Sequence, residues 1–98
     1  MYFLFDVGGT NTRTAVSVRC GEVDGDTFRT FETRPDFKEG IRSIREARDL
    51  FGNKVTAAAG GVAGSENAEH SAIVRSPNLP GWEGKPVKAE LERALGVP

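Results

Sequence analysis

The most restrictive feature of the sequence is a glycine pair, Gly8–Gly9, that stands between two short β-prone runs. Residues 2–5 are apolar and rich in aromatic side chains, and residues 14–18 form the second run. Glycine adopts positive φ without steric cost, so a Gly-Gly pair between two strands predicts a tight hairpin. We therefore expect the chain to begin with two antiparallel strands, the first of them buried.

Polar residues on both sides of this turn predict phosphate binding. Asp6 ends the first strand, where a carboxylate can hold a hydrated Mg²⁺. The backbone N–H groups of Gly8 and Gly9 can approach phosphate oxygens, because no side chain shields them. The next residues complete the polar set: Thr10, Asn11, Thr12 and Arg13. A purely structural hairpin with a polar tip is the alternative, but the preceding Asp and the following Thr-x-Thr-Arg favour phosphate binding.

The middle of the chain predicts a mixed sheet with a helix packed on it. A polar β-prone run at 27–33 is typical of an edge strand and completes an antiparallel meander. Asp36 is a suitable N-cap for a helix whose apolar stripe extends over 37–51. A run of small residues at 54–60 then predicts a strand parallel to an earlier one. The glycine-rich segment 61–65 would follow that strand at its carboxyl end, where open α/β sheets bind ligands, and an ordinary flexible loop is the alternative.

The last third of the chain combines a rigid loop with a second helix. Residues 76–82 contain two prolines and a glycine, which excludes regular structure and favours a stiff wall beside a substrate. Trp82 is expected to act as a packing anchor rather than a stacking platform. Pro86 suits the first turn of a final helix that ends at Gly96.

Composition limits the class of protein. Ninety-eight residues form one domain at most, and 38% hydrophobic with 28% charged residues is typical of a globular chain. A net charge of −1 provides no basic surface for nucleic acid or anionic lipid. Cys20 is the only cysteine, and neither a leader nor a membrane-length apolar run occurs, so we expect a cytoplasmic protein with no membrane partner.

Two stretches together resemble a known family. Residues 6–13 are similar to the first phosphate motif of sugar kinases in the actin and hexokinase superfamily. Residues 60–64, followed by the Asn-Leu-Pro-Gly-Trp string within 76–87, resemble the ROK group, which includes bacterial glucokinases. The resemblance covers nearly the whole chain, although a complete member is about three times longer. It therefore implies the N-terminal small domain of a sugar kinase over residues 1–98.

The resemblance also implies a fold and a set of site residues. The fold is a ribonuclease-H-like half-domain of the actin-like ATPase type, with two main helices and strand order 3-2-1-4-(5). The hairpin would hold the ATP phosphates, with Asp6 near Mg²⁺ through water. The sugar would lie beside four residues: Gly64, Ser65, Pro77 and Asn78. The family usually has Pro-Gly-Pro-Val-Asp where this sequence has Ala-Gly-Ser-Glu-Asn at 63–67, which leaves the sugar open.

The function implied is ATP-dependent phosphorylation of a hexose. The general base of such kinases is the aspartate of an Asn-Asp pair in the strand expected after Pro98, so the 98 residues should contain no catalytic residue and should be inactive alone. One alternative is a non-catalytic module that binds a sugar or phosphate, or forms a homodimer through its open sheet edge. Another keeps the kinase but makes the substrate an N-acetylhexosamine or fructose.

Overall fold

A four-stranded mixed sheet forms the centre of the molecule. The computed structural model describes residues 1–19, 22–69 and 71–98, so Cys20 lies outside the described part. The strand order is β3-β2-β1-β4, with strands β1 (Tyr2–Val7), β2 (Asn11–Arg19), β3 (Glu22–Glu32) and β4 (Ala57–Val62). The first three form an antiparallel meander and β4 runs parallel to β1. The predicted order and directions are therefore confirmed.

Two helices and a small second sheet complete the chain. The helices are α1 (Phe37–Asp49) and α2 (Val87–Leu95), and short 3₁₀ turns lie at Gly52–Lys54 and Pro80–Trp82. The second sheet pairs strands β5 (Ser65–Glu66) and β6 (Ile73–Arg75). Within the described ranges neither helix is long and apolar enough to cross a membrane. The prediction that residues 76–82 form no regular structure was wrong at their end, where Pro80–Trp82 form a 3₁₀ turn. The fixed φ of Pro80 suits the first position of that turn.

Several predicted strand boundaries were wrong: β1, β2 and β3 are longer than predicted, and β4 is shifted toward the C-terminus. The strands of the first hairpin extend to Val7 and from Asn11, so most of the predicted phosphate motif lies within the sheet. β3 begins at Glu22 instead of Thr27. β4 begins three residues later than predicted, because the segment after α1 forms a 3₁₀ turn, and it continues until Val62 pairs with Val7. Ladder pairing across neighbouring strands decides these ends.

Helix α1 covers one face of the sheet for the reasons that its sequence suggests. The Asp36 carboxylate accepts a hydrogen bond of 3.0 Å from the Glu39 N–H and so satisfies one of the free donors of the first turn. The apolar stripe of α1 is buried against β1 and β2: Phe37, Ile41, Ile44 and Ala47 from the helix face Phe3, Val7 and Val16 of the strands. Arg48 joins the helices by donating from Nε to the Leu95 carbonyl at 2.8 Å.

Trp82 anchors the loop that precedes α2. Its side chain is fully buried and meets Phe37 edge-on, with ring centroids 5.2 Å apart. The indole N–H donates to the Arg34 carbonyl at 3.2 Å. The absence of a side chain at Gly40 creates room for the indole, since a Cβ there would lie 2.2 Å from Cζ2 of Trp82. The predicted packing role is confirmed, and residues 76–82 are held at one end by it.

Candidate phosphate and sugar site

The turn between β1 and β2 presents free backbone donors. Gly8 donates its N–H to the Asn11 carbonyl at 2.9 Å, and the Thr10 carbonyl accepts from the Thr33 N–H at 2.9 Å. Gly8 therefore holds the turn together. Among the residues that the structure describes, no acceptor faces the N–H groups of Gly9 and Thr10. Two adjacent unpaired N–H groups are the kind of donor that an anion-binding turn provides.

The physical reason for glycine at position 9 differs from the expected one. Positive φ was predicted for Gly8 and Gly9, but neither lies in the left-handed region, so that prediction was wrong. Position 9 is instead short of space, because a Cβ there would lie 2.6 Å from the Cβ of Asn78. The loop carrying Asn78 therefore rests directly on the turn. The structure thus brings a predicted sugar residue into contact with the predicted phosphate hairpin.

Asp6 and Arg13 lie together on the face of the sheet opposite α1. Strand alternation turns both away from the core, and the antiparallel register places them opposite each other. Their side chains are 64% and 59% exposed, and Arg13 Nε lies 3.9 Å from Asp6 Oδ2. A pair this exposed contributes about 0–1 kcal/mol. Both charges therefore remain open to a ligand, and Asp6 is not sealed inside the protein.

Thr12 has the opposite orientation from Asp6 and Arg13. It is 2% exposed, and its hydroxyl lies 2.8 Å from the hydroxyl of Thr33 inside the protein. Since Thr33 also donates its N–H to Thr10, the two threonines fasten the turn to the residue that follows β3. The exposed members of the predicted set are then Asp6, Thr10, Asn11 and Arg13.

The predicted sugar residues lie after β4 and after β6. Gly64 has φ of +128°, and a Cβ there would lie 2.6 Å from the Arg75 carbonyl oxygen and 3.0 Å from the Cβ of Ser76. The segment after β4 therefore packs against the end of β6 with no space between them. Pro77 and Asn78 follow directly and are exposed. Ser65 begins β5, but its side chain is outside the described part of the structure.

Two residues outside the predicted set of site residues join these segments. Ser76 is 1% exposed, and its hydroxyl donates to the Ala63 carbonyl at 2.8 Å. Its N–H donates to Oε1 of Glu83 at 2.8 Å. No periodicity connects positions 76 and 83, since the partners meet only when the intervening turn folds. The sequence signals in this region were the prolines, Gly81 and Trp82.

The carboxylate of Asp6 fits the modest requirements of Mg²⁺. In the described ranges no group of three acidic, His or Cys side chains could form a metal cage. Mg²⁺ does not need one, because it usually keeps several waters and takes one or two carboxylates together with substrate phosphates. An exposed carboxylate beside unpaired N–H groups matches that pattern. Asp6 would hold the ion through water, as the sequence predicts.

Comparison with known proteins identifies the architecture. No family model and no curated protein matches the chain in sequence. Its fold is similar to a ROK family glucokinase from Streptomyces griseus, solved with glucose and AMPPNP, with a TM-score of 0.86 and 24% identity over 99% of this chain. The chain has the fold of ROK sugar kinases. It covers 31% of that glucokinase, about a third of its length.

Two further structures with this ROK-type fold extend the comparison. The ROK hexokinase from Thermus thermophilus has a TM-score of 0.79 and 22% identity, covering 96% of this chain and 32% of its own. A Listeria monocytogenes protein, provisionally named an N-acetylmannosamine kinase, has a TM-score of 0.77 and 22% identity, covering 99% of this chain and 33% of its own. The resemblance inferred from residues 6–13 and 76–87 is therefore confirmed at the level of the fold.

Proposed function

We propose that this chain supplies the nucleotide-phosphate site and one wall of the sugar site of an ATP-dependent hexose kinase. The observation that carries the proposal is the contact between Gly9 and Asn78, because it joins the predicted phosphate turn to the predicted sugar loop. A hairpin that merely reversed the chain would not need this contact. The ROK-type fold supports the same function by analogy.

Each group at the turn has a role in this proposal. The N–H groups of Gly9 and Thr10 would donate to phosphate oxygens, and the Arg13 guanidinium would neutralise part of their charge. Asn11 would add a side-chain amide. Mg²⁺, held by Asp6 through water, would supply neutralisation of the developing phosphate charge. These groups bind and orient the phosphates, since phosphoryl transfer depends chiefly on positioning and charge.

The sugar would lie on the other side of the same contact. Gly64, Ser65, Pro77 and Asn78 form the proposed wall, and Asn78 would present its amide to a hydroxyl. The proton acceptor for the attacking hydroxyl is proposed to lie beyond these 98 residues, which span about a third of the length of the kinases that share the fold. Residues 1–98 would then be a small N-terminal domain that binds but does not turn over.

The test is ADP release by the protein expressed from its complete reading frame, with Mg²⁺·ATP and glucose, fructose or N-acetylmannosamine. We expect turnover with one of these sugars. Asp6→Asn should lower kcat by about a hundredfold, the scale of losing one electrostatic stabiliser. Asp26→Asn is the matched control, because Asp26 is an exposed carboxylate on the edge strand β3. Absence of both nucleotide binding and sugar-dependent turnover would refute the proposal.

The same assay distinguishes the kinase subfamilies. The Listeria protein with this fold has a name that refers to N-acetylmannosamine, and the Streptomyces enzyme was solved with glucose. The departure from the family pattern at 63–67 lies in the proposed sugar wall and leaves the sugar class open. A ratio of kcat/KM above about ten for one sugar would assign the specificity.

An open groove beside β4 favours the second candidate function, a module that pairs with another chain. The groove has a volume of about 320 Å³ and is lined by apolar side chains that include Phe5, Val62 and Leu91. At the end of the groove the Ala58 N–H donates to the Pro98 carbonyl at 2.9 Å. The last residue of this chain therefore already forms a backbone hydrogen bond with the outer edge of β4. Sedimentation of the 98-residue chain tests this candidate: a dimer with no nucleotide binding would favour it over the kinase.

A further inference from the structure

We propose that Ser76 and Glu83 are positioning residues that hold Asn78 against the Gly8–Gly9 turn. Ser76 is buried and Glu83 is exposed, and neither residue needs to contact the ligand in this role. Both act through the loop that carries Asn78. The relevance to a ligand rests on the proposed function, whereas the structural connection itself can be tested without any ligand.

The connection begins where β1 and β4 end. The Val7 carbonyl accepts from the Ala63 N–H at 2.8 Å, which extends the β1–β4 ladder by one residue. The carbonyl of the same Ala63 accepts from the Ser76 hydroxyl at 2.8 Å. Ser76 is therefore bonded, through one residue, to the strand that carries Asp6. Its side chain is almost completely buried, so water cannot easily replace this hydrogen bond.

Glu83 fixes the backbone of Ser76 from the opposite direction. Its Oε1 accepts from the Ser76 N–H at 2.8 Å, and the carbonyl of Ser76 accepts from the Leu79 N–H at 3.1 Å. Glu83 follows Trp82 in sequence, and the indole of Trp82 is fully buried. The buried Trp82 therefore restrains the backbone from which the Glu83 side chain extends. Hydroxyl, N–H and carbonyl of Ser76 are all engaged, which leaves this residue little freedom.

The hydrogen bonds of Ser76 restrain the position of Asn78. It lies two residues after Ser76 and one before the buried Leu79, while its own side chain is exposed. The hypothetical Cβ of Gly9 would lie 2.6 Å from the real Cβ of Asn78 and 3.5 Å from its Nδ2. The buried Leu79 fixes the loop after Asn78, and the bonds of Ser76 fix it before Asn78. We therefore infer that residues 76 and 83 set the distance between Asn78 and the Gly8–Gly9 turn.

The first test uses amide hydrogen exchange and ¹⁵N-resolved NMR on the 98-residue chain. Glu83→Ala removes the acceptor, and exchange of the Ser76 amide should accelerate by about tenfold or more, because hydrogen bonds to charged groups are the stronger kind. Glu83→Gln keeps an acceptor oxygen and should give a smaller acceleration. Glu46→Ala, at an exposed carboxylate of α1, is the control and should leave Ser76 unchanged.

The resonances of Gly9 and Asn78 distinguish positioning from a local effect. Our proposal expects Glu83→Ala to shift both, while the resonances of β2 and β3 stay in place. It is overturned when only the immediate neighbours of residue 83 shift. Should Glu83→Ala fail to fold, Glu83→Gln is the test: accelerated Ser76 exchange together with shifted Gly9 and Asn78 resonances supports the proposal, and unchanged Gly9 and Asn78 resonances overturn it.

A second test with Mg²⁺·AMPPNP separates this proposal from the proposed function. In the unmodified chain the nucleotide should shift the Gly9 and Asn78 resonances together. In Glu83→Ala the shift of Gly9 should persist and that of Asn78 should be lost, whereas an equal response of both residues in the variant would overturn the positioning role. A wild-type chain that shows no response refutes nucleotide binding, and the exchange experiment then decides the role of Glu83.

Discussion

The substitution Gly40→Ala sets two well-characterised effects against each other. Alanine is favoured over glycine within a helix by about 1 kcal/mol, so helix propensity alone predicts a more stable protein. Gly40 lies in the first turn of α1, directly against Trp82. A Cβ at this position would lie 2.2 Å from Cζ2 and 3.0 Å from Cη2 of the indole. Carbon atoms pack at about 3.5–4.0 Å, so the indole or the helix must retreat by more than about 1 Å.

The cost of that retreat follows from what holds Trp82. Its ring meets Phe37 edge-on, a contact worth about 0.5–1.5 kcal/mol, and its N–H bond to the Arg34 carbonyl is worth a similar amount. Overpacking a filled core costs about 1–3 kcal/mol in other proteins. These estimates describe overlapping parts of one displacement. The 2.2 Å approach is severe, so we take the upper half of that cost, about 2–3 kcal/mol. After the helix gain of about 1 kcal/mol is subtracted, we expect Gly40→Ala to lower the free energy of unfolding by roughly 1–2 kcal/mol.

Urea denaturation followed by Trp82 fluorescence and by circular dichroism measures this change. The midpoint should fall with little change in the slope, since the exposed area of unfolding is unaffected. Gly61→Ala is the control, because a Cβ at position 61 meets no atom within 4 Å. A Gly40→Ala protein as stable as the wild type, or more stable, would show that the core around Trp82 is loosely packed and that this reasoning is wrong.

Three further predictions concern stability, each measured by the free energy of unfolding in urea. Thr14→Val should stabilise the protein by about 1 kcal/mol, because the buried Thr14 hydroxyl has no hydrogen-bond partner among the described residues. Thr12→Val should instead destabilise it by about 1–3 kcal/mol, because the hydroxyl of Thr33 loses its partner. Equal effects would refute the hydrogen-bond assignment. Asp36→Ala should cost about 0.5–2 kcal/mol through the lost cap, and an unchanged midpoint would contradict it. Gly64→Ala should destabilise the protein by about 1–3 kcal/mol, since φ is +128° and the new Cβ would lie 2.6 Å from the Arg75 carbonyl oxygen. A neutral result would mean that the segment after β4 can move away from the end of β6.

The sequence predicted the parts of the fold that depend on local patterns. The N-cap at Asp36, the stripe from Phe37 to Ala47 and the left-handed end of α2 at Gly96 all arise from neighbours within a few residues. The full strand order was implied by the family resemblance, and the meander with a later parallel strand was also predictable from local patterns. The strand limits were not, since pairing with a neighbouring strand extends β1 and β2 into the motif at 6–13.

The candidate site divides in the same way. The residue types at the turn suggested phosphate chemistry by themselves, and strand alternation explains why Asp6 and Arg13 share a face that Thr12 does not. The meeting of Gly9 with Asn78, and the bonds of Ser76 to Ala63 and Glu83, join segments far apart in the chain. Such contacts depend on how the end of β4, the buried Trp82 and the turn pack together in space. Local composition determines which chemistry each segment can offer, and only tertiary packing decides which segments can offer it to the same ligand.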